Sequence, residues 1–213
     1  MIRTAIQHCH ALIVAVVFSL VSVSAQATWE EAGAVIEGTT SDMLLLLENE
    51  ELLLEEQEGQ LIAEIDTVLS PVVDFDYISK LVMGKYYRKA SKDQRVAFSA
   101  VFKTTLLKTY AKALLGFQIK TYAMVPPKRK SPDKRKQIVT VDVFAADGTK
   151  FSIVYYMKKK EEGWRLVNAL LDGINLRLTF KNQFAEMVQK NRGDVGAVID
   201  HWKEKVDPGK SEA

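Results

Sequence analysis

IVTVDVFAADGTKFSIVYYM, residues Ile138–Met157, is the stretch that decides the fold. Apolar residues alternate with polar ones on both sides of Asp147-Gly148, the pattern of two strands joined by a tight turn. Asp-Gly is a strong signal for a two-residue hairpin. Such a turn sets Val141 opposite Val154, Val143 opposite Ser152 and Phe144 opposite Phe151. One sheet face then carries Val139, Val141, Val143, Val154 and Tyr156. The other carries Ile138, Phe144, Phe151, Ile153, Tyr155 and Met157, interrupted by Thr140 and Asp142. An antiparallel sheet normally needs one apolar face, so two imply cover on both sides.

Working outward, the alternation extends to Gln118–Val125 upstream, ended by Pro126-Pro127, and to Trp164–Leu171 downstream, entered through Glu162-Gly163. Beyond these the period becomes helical. Thr28–Leu69 reads as helix, with Leu61, Ile62, Ile65, Val68 and Leu69 at helical spacing until Pro71 stops it. Asp74–Met83 is a short helix with Phe75, Ile78, Leu81 and Val82 on one side and Gly84 at its end. Ser91 and Gln94 form a capping-box pair ahead of a stripe through Phe98, Val101, Phe102, Thr105, Leu106, Thr109, Tyr110, Ala113 and Leu114, closed by Gly116. After strand four, Asp172-Gly173 turns the chain into helix again, and Val195–Val206 is a last short helix. Strands segregated from helices give an α+β fold: a single curved antiparallel four-stranded sheet wrapped by helices, cone-like with an apolar pocket.

The N-terminus sets the compartment. Arg3 precedes an apolar run, Ala11–Val23, that ends in Ser24-Ala25-Gln26-Ala27, an A-x-A exit. This is the pattern of a secretory signal peptide, residues 1–27, and the run is too short to span a bilayer. Residues 28–206 are expected to form a single α+β domain and 207–213 a flexible tail. The only cysteine, Cys9, and two of the three histidines, His8 and His10, fall in the signal segment. What remains has no thiol and only His201, which argues against zinc sites and His-dependent triads. No metal-ligand spacing, glycine-rich phosphate loop or nucleophile motif is present, so no cofactor, no metal and no enzyme activity are expected, and no nucleic acid. Asp142 is the one acid that interrupts an apolar sheet face, and it is the candidate base of an alternative reading as a cone-fold enzyme acting on a hydrophobic small molecule.

Charge is unevenly distributed although the net is only +2. Thr28–Asp66 holds twelve acids and no Lys or Arg, whereas Lys128–Lys136 (KRKSPDKRK) holds six cations and one acid. Lys128, Arg129, Lys130, Lys134, Arg135 and Lys136 are candidates for electrostatic docking.

Two segments resemble a known family. They are VLSPVVDFDYISKLVMGKYYRKASKDQRVAFSAVFKTTLLKTYAKALLGF (Val68–Phe117) and GWRLVNALLDGINLRLTFKNQF (Gly163–Phe184). Asp74-Phe75, the V-x-G-x-Y-Y of Val82–Tyr87, the S-x-x-Q-R of Ser91–Arg95, the spaced Phe98, Phe102, Leu106 and Tyr110, then Trp164, Gly173, Leu176 and Gln183-Phe184 are similar to the MlaC family, the toluene-tolerance auxiliary proteins. Two departures are Val167-Asn168, where the family usually has Tyr-Asp, and Asn175, where it usually has serine.

The resemblance implies a periplasmic phospholipid-binding carrier. Its expected partners are phospholipid, an inner-membrane ABC transporter complex with its periplasmic lipid-binding subunit, and an outer-membrane lipoprotein–porin complex, in maintaining outer-membrane lipid asymmetry. Acyl chains are expected between sheet and helices. The expected lining is Leu81, Phe98, Phe102, Leu106, Tyr110, Val139, Val141, Val143, Val154, Tyr156, Val167, Ala169, Leu171, Ile174, Leu176, Leu178, Phe184 and Met187. A third alternative is a periplasmic adaptor with a solid core and no ligand.

Overall fold

A computed structural model describes residues 28–116 and 119–205. The expected signal segment, Gln118 and the tail lie outside them. Six helices are described: α1 (Trp29–Glu48), α2 (Glu58–Leu69), α3 (Phe75–Met83), α4 (Lys92–Gly116), α5 (Leu176–Lys190) and α6 (Val195–Lys205). Five strands form one antiparallel sheet in sequence order: β1 (Ile119–Val125), β2 (Lys136–Ala145), β3 (Lys150–Lys160), β4 (Gly163–Leu171) and the short β5 (Ile174–Asn175). The α+β class is as the residues imply, with five strands instead of four.

Thr28–Leu69 is not one helix. Thr28 caps α1 by accepting from the Glu31 amide, and the helix stops at Asn49, whose side chain accepts from the Glu51 amide. Two short 3₁₀ turns, Glu50–Leu53 and Glu55–Gln57, then lead into α2. Asn competes with the helix by bonding its own backbone, which broke a run that composition alone reads as continuous.

Downstream, the local signals translate directly into structure. Asp74 caps α3 by accepting from the Tyr77 amide, and Gly84 closes it at φ 53°. Ser91 and Gln94 make both bonds of the capping box, at 3.0 and 3.1 Å, and start α4, which runs 25 residues.

The β2–β3 register differs from expectation by one residue. Val141 pairs with Ile153, Val143 with Phe151 and Phe144 with Lys150. The cause is the turn. The Gly148 amide donates to Ala145 O at 3.1 Å and the Ala145 amide to Thr149 O at 2.8 Å, with Gly148 at φ 85°. That is a three-residue loop with glycine in the left-handed position. The other Asp-Gly behaves differently. Asp172 and Gly173 both have positive φ, 47° and 81°, and pair Leu171 with Ile174 across a true two-residue turn. This hairpin creates β5, which the sequence reading passes over.

A one-residue slip exchanges faces along a whole strand. Val139, Val141 and Val143 therefore share a face with Phe151, Ile153, Tyr155 and Met157, while Val154 and Tyr156 lie on the opposite one. The sheet is not apolar on both sides. One face is strongly so, and the other carries Ile138, Thr140, Asp142, Phe144, Ser152, Val154 and Tyr156, with Ile138 48% and Tyr156 36% exposed.

Candidate functional site

Buried residues fall into three separate groups. The first is purely helical: Phe98, Phe102, Phe184 and Trp202 meet at 4.7–6.2 Å between ring centroids, with Ile78, Val82, Met187 and Val198 around them. The second joins α1 to the apolar sheet face, through Ala32, Ile36, Val139, Val141, Val143, Met157 and Trp164. The third, Leu52, Leu61, Ile65, Leu107 and Ala111, lies between α2 and α4.

A domain of this size usually has one contiguous core. Here the borders of the groups are half-buried apolar side chains. On the sheet side these are Tyr122, Met124, Ile153, Tyr155 and Leu166, and on the α1–α3 side Met43, Leu46, Leu69 and Phe75. Val101, Leu106 and Phe180 border the helical group.

The helix arrangement explains the break. α1 lies on β1, β2 and β4, and α5 lies along β4 and β5. Between them, α4 packs chiefly against α2, α3 and α6 rather than against any strand. Phe98 and Phe102 of its stripe are thus buried by other helices, and among the described residues the apolar sheet face is only partly covered.

The α1 position is pinned by polar contacts from its first turn and from mid-helix. Trp29 Nε1 donates to Ile138 O at 3.0 Å, and Ser41 Oγ and Tyr122 Oη are 2.9 Å apart. Glu31 accepts from Lys159 Nζ at 3.0 Å and from Trp164 Nε1 at 3.1 Å. Those two bonds, Trp164 first, hold the Glu31 carboxyl below its ordinary pKa.

The expected lining residues are distributed over all of this. Phe98, Phe102, Phe184 and Met187 are sealed in the helical group at 0–3% exposure, with Leu106 on its edge. Val139, Val141 and Val143 are in the sheet group. Leu81, Val167, Ala169 and Leu176 are half-buried, and Leu171, Ile174 and Leu178 are exposed where β4, β5 and α5 meet. Val154 and Tyr156 are on the opposite sheet face, for the register reason above. Tyr110's side chain lies outside the described residues. Ile153 and Tyr155, which the expected register set away from the valines, share their face. A three-residue reading of Ala146-Asp147-Gly148 finds them.

The departures at β4 are chemically mild. Asn175 caps α5 by accepting from the Leu178 amide at 3.0 Å, a role serine fills equally well. Asn168 is 5% exposed beside a bulge at Val167, and an amide avoids burying a charge there.

Asp142 is not an isolated acid. It lies on the opposite face, 2.7 Å from Lys150 Nζ, and this hydrogen bond holds its carboxyl below the ordinary value. Such a carboxylate is a weaker base than a free one. No group of His, Cys, Asp and Glu suited to a metal ion occurs among the described residues. A depression of about 940 Å³ between α3, α4 and the start of β4 is lined by Val73, Asp74, Tyr77, Arg95, Lys103, Lys160 and Arg165, among others. Its volume would suit a ligand, but several cations on its wall are engaged. Lys160 pairs with Asp74, Lys103 with Asp66, and Arg165 with Glu162 and the Ser70 and Pro71 carbonyls. The sheet face, by contrast, carries the half-buried apolar side chains Ile153, Tyr155 and Leu166.

Known proteins resemble the chain over most of its length. Residues 37–204 match the family model described as MlaC protein. Toluene tolerance protein ttg2D of Pseudomonas putida is 30% identical over 203 residues, covering 95% of this chain and 92% of that protein. A solved phospholipid-binding protein from Ralstonia solanacearum, in complex with a phospholipid, aligns at a TM-score of 0.72 and 26% identity, covering 83% of this chain and 97% of that one. Among the described residues no helix is long and apolar enough to cross a membrane.

Proposed function

The chain belongs to the MlaC family, and we propose that it is a phospholipid carrier that holds acyl chains between the apolar sheet face and α4. The observation that carries this reading is the division of the core. The helical group and the apolar sheet face are separate clusters, with half-buried Leu106, Ile153, Tyr155, Leu166, Leu69 and Phe75 at their borders. The phospholipid found in the Ralstonia solanacearum protein supports the choice of ligand.

The chemistry needed is modest. Each methylene withdrawn from water is worth about 0.8 kcal/mol, so long acyl chains do not cross an aqueous space unaided. Passage from bilayer to apolar chamber exchanges one dry environment for another and is nearly balanced. Direction then comes from partners that favour loading or release. No catalytic group is required.

The finer reading follows the family. Residues 1–27 direct export and are removed after Ala27, residues 28–206 form one lipid-binding domain, and the carrier works in the periplasm. There it exchanges lipid with an inner-membrane ABC transporter complex and an outer-membrane lipoprotein–porin complex, maintaining lipid asymmetry. Exposed Leu171, Ile174 and Leu178 mark the mouth through which chains enter.

Organic extraction of the purified chain followed by mass spectrometry tests the proposal. Phospholipid in near-stoichiometric amount is expected, falling sharply in Ala169→Trp, which fills the face beside Tyr155. Protein that is folded, lipid-free and unable to take lipid from vesicles would overturn it.

A further inference from the structure

Part of the acidic run lies far from the basic loop in space. The first turn of α1 is tied to the start of β2 and the end of β3, through Trp29 with Ile138 and Glu31 with Lys159. Ser41 is tied to Tyr122, opposite Val143 and so toward the β2–β3 hairpin. α1 spans 20 residues, roughly 30 Å. Its acidic continuation, Glu48–Glu58, is thereby carried to the end of the sheet away from the basic loop between β1 and β2.

At the basic end, Lys128, Arg129, Lys130, Lys134, Arg135 and Lys136 are all exposed. Lys136 pairs with Asp133 at 2.9 Å, but no described ion pair uses Lys128, Arg129, Lys130 or Lys134. The strand pairing extends the patch onto the sheet. Lys136 is directly opposite Lys158, and the next outward pair on the same face is Ile138 with Tyr156. Like charges directly opposite one another cost stability, and an exposed Ile–Tyr pair gains little from folding. Lys158 Nζ lies 5.2 Å from the Tyr77 ring centroid, adding an aromatic group to the rim.

We propose that this end of the opposite sheet face is a docking surface for an anionic lipid bilayer. A cluster of cations around a small apolar and aromatic patch is the combination that lies well at a headgroup boundary. Five of the seven cations are Lys, which act as point charges toward diffuse negative surfaces, whereas a discrete carboxylate is better read by the Arg fork. The acidic far end supplies orientation, because an anionic surface attracts one pole and repels the other. This deepens the carrier reading, placing the chain on the bilayer from which lipid is taken or to which it is given.

Co-sedimentation of the purified chain with sucrose-loaded vesicles tests the surface. The vesicles are phosphatidylcholine alone or with about a third phosphatidylglycerol, at low and high salt. Each basic residue near such a surface strengthens binding by about 1 kcal/mol, or about fivefold. At low salt, binding to the anionic vesicles is expected to be at least about tenfold tighter than to neutral ones, and to be lost at high salt. The variant with Lys128, Arg129, Lys130 and Lys134 changed to Ser should lose about tenfold or more, while its co-purified phospholipid is unchanged. Ile138→Ser should weaken binding at both salt levels.

The salt and lipid dependence of the unaltered chain keeps the test valid if a variant folds poorly. Equal binding to both vesicles, an unaffected quadruple variant, or no binding to anionic vesicles with capture instead by an acidic partner protein would overturn the proposal. Lipid-free protein that still docks would sink the carrier reading and leave the docking surface standing.

Discussion

The aromatic group formed by α3 to α6 and the apolar face of the sheet use similar residue types but are packed to different degrees. Phe98, Phe102, Phe184 and Trp202 are fully buried and in mutual ring contact. Ile153, Tyr155 and Leu166 point inward and remain half-buried. Close packing supplies most of what makes an interior stable, so the first region accounts for holding the fold. The second retains apolar surface that the described residues only partly cover. On the proposed reading, sealed rings serve stability and the half-buried sheet face serves cargo.

Replacing a ring in the sealed group is the harshest way to test that division. Trp202→Ala or Phe98→Ala should cost about 3–5 kcal/mol in urea unfolding, by the same amount with or without lipid bound. A loss much below this would mean that the helical group is not the stabilising core.

On the half-buried face the effects separate. Tyr155→Ala should cost roughly 1 kcal/mol in delipidated protein yet lower phospholipid content severalfold by extraction. Equal losses of stability and lipid across both regions would erase the distinction.

Ser91→Ala sharpens the contrast from the side of local structure. It removes one bond of the capping box at the start of α4, an effect of about 1 kcal/mol, and should leave lipid content unchanged because the cap lies on the helical side. Circular dichroism melts with and without lipid check both parts.

The smallest expected effect concerns the α1 anchor. Glu31's carboxyl is held below its ordinary 4.5, first by Trp164 and then by Lys159. A depressed folded-state pKa contributes stability that is present above the ordinary value and lost as pH falls through the depressed one. Unfolding midpoints followed from pH 6 to pH 3 should therefore fall less steeply in Glu31→Gln than in the unaltered chain. Parallel pH profiles would show that the anchor does not contribute.

Local signals explain why the helices were legible and the sheet register was not. Asp74, Ser91 and Gln94 make their caps within three or four residues, and both bonds of the expected Ser91–Gln94 box are formed. Which sheet face carries Ile153 depended on whether Ala146-Asp147-Gly148 closes as two residues or three, and the same Asp-Gly pair closes differently at residues 147 and 172. Phe98 and Val141 look alike in any hydropathy pattern, because alternation and helical stripes report that a side chain turns inward, not whether the space there is filled. The separation of α4 from the sheet arises from how α1, α2, α3 and α5 stack, which no local pattern encodes. The acidic and basic runs were visible at once, but the placement of Glu48–Glu58 far from the basic loop required the course of α1.

Ile153 and Val154 are adjacent and project to opposite faces of β3, which makes them the sharpest test of where the cargo lies. Photo-crosslinking p-benzoyl-phenylalanine, placed at one position or the other in lipid-loaded protein without vesicles, reads this out as the mass of the adduct. The account predicts a phospholipid adduct from position 153 and little or none from 154. An adduct from 154 with none from 153 would contradict it.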